Sequence, residues 1–145
     1  MSGAAAVDPI ALLLAGHDHT RLSLTQLAEP ALQDQAIAWL DGPAAAQRQV
    51  LRDALFPALI ESMAGSDAVC LKGMTRGLTD QGEELRRRWD AIRASLGGAS
   101  PLPDTLQPWI DDYLGYLQRA DEELLPMAAR LLDDDALDHL RRALG

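Results

Sequence analysis

Apolar residues recur with helical spacing in four long segments of the chain. The first segment opens with VDPIALLL, where Asp8 can cap free helix amides and Pro9 suits the first helical position. This helix is expected to run to about Glu29. A short amphipathic piece, ALQDQAIAWL, follows, and the DGP break at 41–43 then starts a second long helix that is expected to end at Gly65.

Two more long helices and a short terminal one complete the predicted set. The third helix is expected from about Ser66 to Leu96, although three internal glycines each cost about 1 kcal/mol relative to alanine and can bend it. The GGASPLPD stretch predicts a loop. Asp104 or Thr105 can then cap a fourth helix that runs to about Leu132, and DDDALDHLRRALG predicts a short helix at the end of the chain.

This pattern predicts an all-α fold, an up-down-up-down four-helix bundle with a short extra C-terminal helix. Four apolar-striped helices with modest connections bury their stripes best around one shared core. The 145 residues suit a single domain, 1–145. Metal and cofactor sites of such bundles are built from inward-facing side chains, so the inward positions are where chemistry is expected.

A weak internal repeat relates the second and fourth helices. RDALFPALI at 52–60 and DEELLPMAA at 121–129 align so that Pro57 matches Pro126. Proline inside a helix removes an amide donor and clashes with the carbonyl four residues earlier, so each helix is expected to kink or distort there. The repeat indicates a pseudo-twofold bundle.

Charge and cysteine content narrow the function classes. The formal net charge of -9 would repel nucleic-acid phosphates and anionic membrane surfaces, so neither is an expected partner. The run Arg86, Arg87 and Arg88 is flanked by acids and is interpreted as a solvated helix face. The single Cys70 is expected to be a buried, inert thiol, and a cytoplasmic location is expected. No residue pattern predicts catalysis.

Two of the three histidines lie in ALLLAGHDHTRL. At 100° per residue, His17 falls on the apolar stripe with Ile10, Leu13, Leu14, Leu24 and Ala28, which predicts that it faces the core. His19 is turned about 200° away from His17 and is expected to be solvated. Residues two apart on a helix cannot converge on one ion, so this pair is not a chelate.

These features together resemble the hemerythrin-like family, whose domains are also called HHE cation-binding domains. DPIALLLAGHDHTRL is similar to the opening helix of that family, and LFP and LLP are similar to its two Leu-Phe-Pro elements. LTDQGEELRRRWDAIRASL resembles its third helix. The resemblance implies a helical bundle with two oxo-bridged irons, which histidines and carboxylates hold.

The resemblance places one family ligand clearly, on His17. The other ligand positions of the family fall on residues that are not histidines: Gln47, about Gly82 and Tyr116 at histidine positions, Leu51 and Ala120 or Asp121 at acid positions, and Gly16 at the acid before His17. No histidine lies between His19 and His139 that a shifted alignment could use. The di-iron centre is therefore expected to be lost.

Three interpretations remain. In the first, His17, Gln47 and Tyr116 form a hydrogen-bonded cluster in place of the metal, the chain needs no cofactor, and it is a non-catalytic binding or regulatory module. Its protein partner would use the acidic surface or the GGASPLPD loop. In the second, iron or another divalent cation binds to His17 and nearby carboxylates, with Asp53, Asp121 and Glu122 as the candidate ligands. The third, a di-iron oxidase, fits least well because it needs the missing ligands.

Overall fold

A computed structural model of the chain describes residues 7–63, 66–97 and 101–145. Every regular element in these ranges is helical, so the predicted all-α class is confirmed. The elements in chain order are α1 (Pro9–Gln26), α2 (Gln33–Asp41), α3 (Pro43–Val50), the π-helical turn π1 (Leu51–Leu55), α4 (Phe56–Ser62), α5 (Ser66–Ala94), α6 (Leu106–Arg119), the π-helical turn π2 (Ala120–Leu124), α7 (Leu125–Leu131) and α8 (Asp134–Leu144). The abundant unbranched side chains favour this outcome because they lose little rotamer freedom in helices.

The start of α1 is set by Asp8 and Pro9, as predicted. Asp8 Oδ1 accepts a hydrogen bond from the amide two residues on at 2.9 Å, and Pro9 occupies the first helical position. The predicted end near Glu29 is wrong, since α1 ends at Gln26. The Glu29 amide donates to the Gln26 carbonyl at 3.1 Å in a tight turn, because the residue before Pro30 is disfavoured from helical geometry.

Two π-helical turns stand directly before the matched prolines. In π1 the Phe56 amide donates to the carbonyl of Leu51, and in π2 the Leu125 amide donates to the carbonyl of Ala120, each five residues back. A proline follows each of these amides. The wider turn accommodates a residue that lacks an amide hydrogen, so the predicted distortion is confirmed as a π turn inside a continuous helical run.

The remaining boundaries lie close to those predicted. The helical run that begins at Pro43 ends at Ser62, and the predicted end at Gly65 lies outside the described residues. Neither Asp104 nor Thr105 caps α6 with its side chain; Thr105 itself has helical backbone angles (φ -77°, ψ -11°), whereas a capping residue needs extended ones. Asp133 does cap α8, accepting from an amide three residues on at 2.8 Å.

The helix that carries His17 and His19 lies among most of the other elements. α1 contacts α2, α3, α6, α7 and α8, while α5 packs on α4 and α6. The core between them is mainly leucine, with a row of aromatic rings between α5 and α6. In that row Trp89 stacks on Trp109 (centroids 4.8 Å apart), and the edge-to-face pairs Trp109–Tyr113 and Tyr113–Tyr116 continue it.

The outward faces of the helices are charged. Arg86, Arg87 and Arg88 pair with Glu83, Glu84 and Asp112, respectively, as a solvated helix face would. Within the described part of the chain, no helix combines the length with the apolar run that crossing a bilayer requires.

Candidate functional site

His17 is buried at the middle of α1, as its place on the apolar stripe predicts. Its residue surface is 2% exposed, and Ile10, Leu13 and Leu24 are buried on the same stripe. The same spacing places Leu14 and Ala28 on this stripe, but Leu14 is 38% exposed and Ala28, beyond the end of α1, is exposed as well. Leu14 lies 100° from Leu13 around the helix axis. This angle puts it at the edge of the apolar face, where α1 meets solvent.

A carboxylate from the opposite end of the sequence meets the imidazole of His17. Its Nδ1 lies 2.6 Å from Asp121 Oδ1 and, because a carboxylate only accepts, donates that hydrogen bond. Arg21 Nη2, one turn further along α1, donates to Asp121 Oδ2 at 2.5 Å. Both oxygens of Asp121 are therefore bound by donors on one face of α1.

The surroundings of Asp121 favour its charged form. Burial acts to raise the pKa of this carboxyl, but the hydrogen bonds and charges of His17 and Arg21 outweigh burial and hold the pKa below its usual value. Asp121 is thus a carboxylate at neutral pH with both of its oxygens occupied. The second ring nitrogen of His17, Nε2, makes no hydrogen bond to a described residue, so it is the atom of this trio that can still bind a cation.

Gln47 fills the space beside Gly16. A Cβ placed on Gly16 would lie 1.8 Å from Gln47 Nε2, so the two helices approach too closely here for any other residue unless Gln47 moves. Gln47 Oε1 is buried and accepts no hydrogen bond from the described residues. A buried acceptor without a donor commonly lowers the free energy of unfolding by about 1–3 kcal/mol, so this atom destabilises the folded chain.

Tyr116 is buried against a second glycine. It is 2% exposed, and a Cβ on Gly82 would come within 3.6 Å of its ring. Tyr116 therefore does not point to solvent. The proposed hydrogen bonds among His17, Gln47 and Tyr116 are nevertheless wrong, because His17 is bonded to Asp121 and Gln47 Oε1 has no partner in the described structure.

Two of the four predicted metal ligands lie away from His17. Asp53 is exposed and bonds Arg52 Nε at 2.8 Å; this hydrogen bond lowers the pKa of Asp53. Glu122 is exposed and lies 3.4 Å from the amide of Gln118. Asp53 and Glu122 are each the third residue of their π turn. At this position the wider turn directs the side chain outward. Only Asp121 of the predicted acids meets His17.

The donors present do not fit a pair of irons. No group of three or more histidine, cysteine, aspartate or glutamate side chains converges within the described residues. Positions that carry ligands in the resembled family hold packed side chains instead: Leu51 and Ala120 are fully buried, Gln47 lies against Gly16, and Tyr116 against Gly82. Amide, phenol and aliphatic groups do not replace the imidazoles that non-haem iron requires.

Three other side chains differ from or extend the sequence interpretation. His19 is exposed, as expected, but it stacks on Trp39 with ring centroids 3.6 Å apart. Cys70, expected to be buried, is exposed because it lies on the outer face of α5. Arg21 was missed, although its position four residues after His17 puts both side chains on one helix face and was a usable signal.

Comparison of the sequence with protein-family models and curated proteins gave no match, and comparison of the fold with solved structures gave none either. What this chain can bind is therefore inferred from its own contacts, above all those of His17, Gln47 and Tyr116. Each of the three has a specific packing partner in the centre of the molecule.

The unpartnered atom of Gln47 gives the first testable prediction. Replacing Gln47 by methionine keeps the length of the side chain and removes a buried acceptor, so the free energy of unfolding is expected to rise by about 1 kcal/mol. Urea unfolding of the variant beside Gln49→Met, an exposed control on the same helix, checks this. A clear loss of stability would mean that the amide of Gln47 has a bound partner in solution.

Proposed function

We propose that the chain is a hemerythrin-like four-helix bundle in which packed side chains have replaced the di-iron site, and that it acts as a non-catalytic binding module. The helical runs 43–62, 66–94 and 106–131, with α1, supply four helices of bundle length, and α2 and α8 are shorter additions. The matched π1 and π2 turns support a pseudo-twofold arrangement of two of these helices.

The observation that carries this proposal is the mutual pairing of side chains at the family's ligand positions. His17, the one histidine at these positions, is bonded to Asp121, and Arg21 also donates to Asp121. Two pairs of the other positions combine a larger side chain with a glycine: Gln47 lies against Gly16, and Tyr116 against Gly82. Complementary volumes of this kind are expected when a core repacks after the loss of a cofactor.

Metal analysis tests the proposal. The chain and its His17→Ala variant are reconstituted anaerobically with ferrous iron, desalted and assayed for iron and for near-ultraviolet absorption. We expect no stoichiometric iron in either protein, no absorption from an oxo-bridged pair, and a thermal midpoint that a chelator does not move. Iron at two per chain that is lost in the variant would overturn the proposal.

A weak divalent-cation site is the second candidate, and one contact favours it. Histidine ligands commonly donate one ring nitrogen to a carboxylate and bind metal with the other, and His17 donates Nδ1 to Asp121 in this way. The same experiment separates the candidates. One ion per chain, lost in the His17→Ala variant, supports the cation site, whereas an ion that both proteins retain equally does not involve His17.

A further inference from the structure

A small pocket lies beside the π1 turn, and neither His17 nor Asp121 contributes to its lining. Its volume is about 80 Å³, and α3, α4 and α5 contribute to its lining together with Tyr116 of α6. Phe56 and Leu78 supply an apolar wall. The charged part of the lining is mostly basic: Arg48, Arg52, Arg86 and one acid, Glu83. Three arginines around one pocket stand out in a chain with a net charge of -9.

The hydroxyl of Tyr116 is an unused donor in this lining. Tyr116 is 2% exposed, and its hydroxyl makes no hydrogen bond to a described residue. Burial raises the pKa of Tyr116, and the charges of Arg48 and Arg52 oppose that rise, so both guanidinium groups lie near this phenol. The phenol is neutral at ordinary pH and can donate to an acceptor between them.

Arg48 is a half-buried cation without a carboxylate partner. Its Nη1 donates to the Tyr113 hydroxyl at 2.5 Å, and its guanidinium carbon lies 5.4 Å from the centre of the Tyr113 ring. It joins no ion pair within the described part of the chain, although acids outnumber bases by nine. These two neutral contacts hold the guanidinium in place and leave its charge uncompensated.

Arg52 and Arg86 share Glu83 as a partner, and Arg52 also donates from Nε and Nη2 to the two oxygens of its exposed neighbour Asp53, at 2.8 and 3.2 Å. Each guanidinium lies 3.2 Å from a Glu83 oxygen, and the side chains of Arg52, Arg86 and Glu83 are 38%, 53% and 43% exposed, respectively. Ion pairs with this exposure contribute little and exchange readily with other anions. Arg52 is the second residue of π1, and Asp121 is the second residue of π2. At equivalent positions of the repeat, the chain therefore has a cation beside the pocket and an anion beside His17.

We propose that this pocket binds the anion of a small monocarboxylic acid. The carboxylate lies between Arg48, Arg52 and the Tyr116 hydroxyl, and the short apolar part lies against Phe56 and Leu78. Guanidinium forks match the planar carboxylate, and the apolar wall disfavours a fully hydrated anion such as phosphate. A volume of about 80 Å³ is well below the roughly 300 Å³ of ordinary cofactor pockets, which limits the ligand to a few heavy atoms.

This inference names the ligand class of the binding module and rests on that proposed function. Its test is a titration of the full, ¹⁵N-labelled chain with propionate at constant ionic strength, followed through the arginine Nε–H signals and the Gly82 amide. Propionamide, which has the same shape without the charge, and inorganic phosphate are titrated in parallel. We expect saturable shifts with propionate, none with propionamide and weaker binding of phosphate.

Two variants and a control locate the site. Arg48→Gln is expected to weaken propionate binding about tenfold or more, because it removes the uncompensated charge. Tyr116→Phe is expected to weaken it about threefold, because it removes one neutral donor. Arg87→Gln, an exposed residue of α5 paired with Glu84, is expected to leave binding unchanged. If Arg48→Gln does not fold, the Tyr116→Phe variant and the propionamide comparison carry the test.

The inference is overturned if propionate gives no saturable shift, if propionamide binds equally well, or if the affinity is the same in the Tyr116→Phe and Arg48→Gln variants as in the parent. Tighter binding of phosphate would overturn the carboxylate class. Metal analysis is independent of this titration, so a chain that binds two irons and propionate refutes the proposed function alone. A chain that binds neither refutes the ligand alone.

Discussion

Replacing Trp109 by alanine is expected to lower the free energy of unfolding by about 3–5 kcal/mol, the usual cost of removing a large aromatic side chain from a core. Trp109 is fully buried, stacks on Trp89, meets Tyr113 edge to face, and donates its indole N–H to the Leu85 carbonyl at 2.9 Å. It therefore joins α6 to α5 through two separate contacts, the stack on Trp89 and the hydrogen bond to Leu85. Urea unfolding monitored by circular dichroism measures the change.

Trp39→Ala is the matched control for this effect. Trp39 is half-buried, stacks on the exposed His19 and donates to the Thr20 hydroxyl at 2.9 Å. Its loss is expected to cost about 1–2 kcal/mol, because part of its ring already contacts water. Equal costs for the two tryptophans would show that the aromatic row does not hold α5 against α6.

The helices of this protein could be predicted from local features of its sequence. Asp8 and Pro9 fix the start of α1 through bonds within one turn, and the two prolines at 57 and 126 force the distortion that the π turns supply. The predicted cap at Thr105 failed because its backbone angles depend on how α6 meets the preceding loop. Local signals predict an element, but its last residues depend on packing.

The candidate site was predictable only in part, since its contacts join residues far apart in sequence. Periodicity buries His17 correctly, but it cannot show that Asp121 will take the imidazole or that Gln47 will lie against Gly16. The π2 turn decides which of its consecutive acids faces inward, and a 3.6-residue period does not describe that turn. For this reason Asp53 and Glu122 were wrongly grouped with Asp121.

Removing the charge of Asp121 is expected to give the second large loss of stability. Asp121→Asn keeps the size of the side chain but leaves the buried His17 without a carboxylate and Arg21 with only the exposed Asp18. Breaking a fully buried pair costs about 3–5 kcal/mol; Asp121 keeps 11% of its side-chain surface and Arg21 keeps 33%, so we expect about 2 kcal/mol at pH 7. Glu122→Gln, its exposed neighbour in π2, is expected to change stability little.

The dependence of this loss on pH distinguishes the charge of Asp121 from its packing. The pKa of Asp121 is lower in the folded chain than its ordinary value of 3.8, so ionisation stabilises the fold above pH 3.8. That contribution is lost as pH falls through the folded pKa, because the folded carboxylate must then be protonated as well. The unfolding free energies of the parent and Asp121→Asn are therefore expected to converge at low pH. A difference that persists unchanged below that pKa would mean that the asparagine packs badly and that the ion pair contributes little.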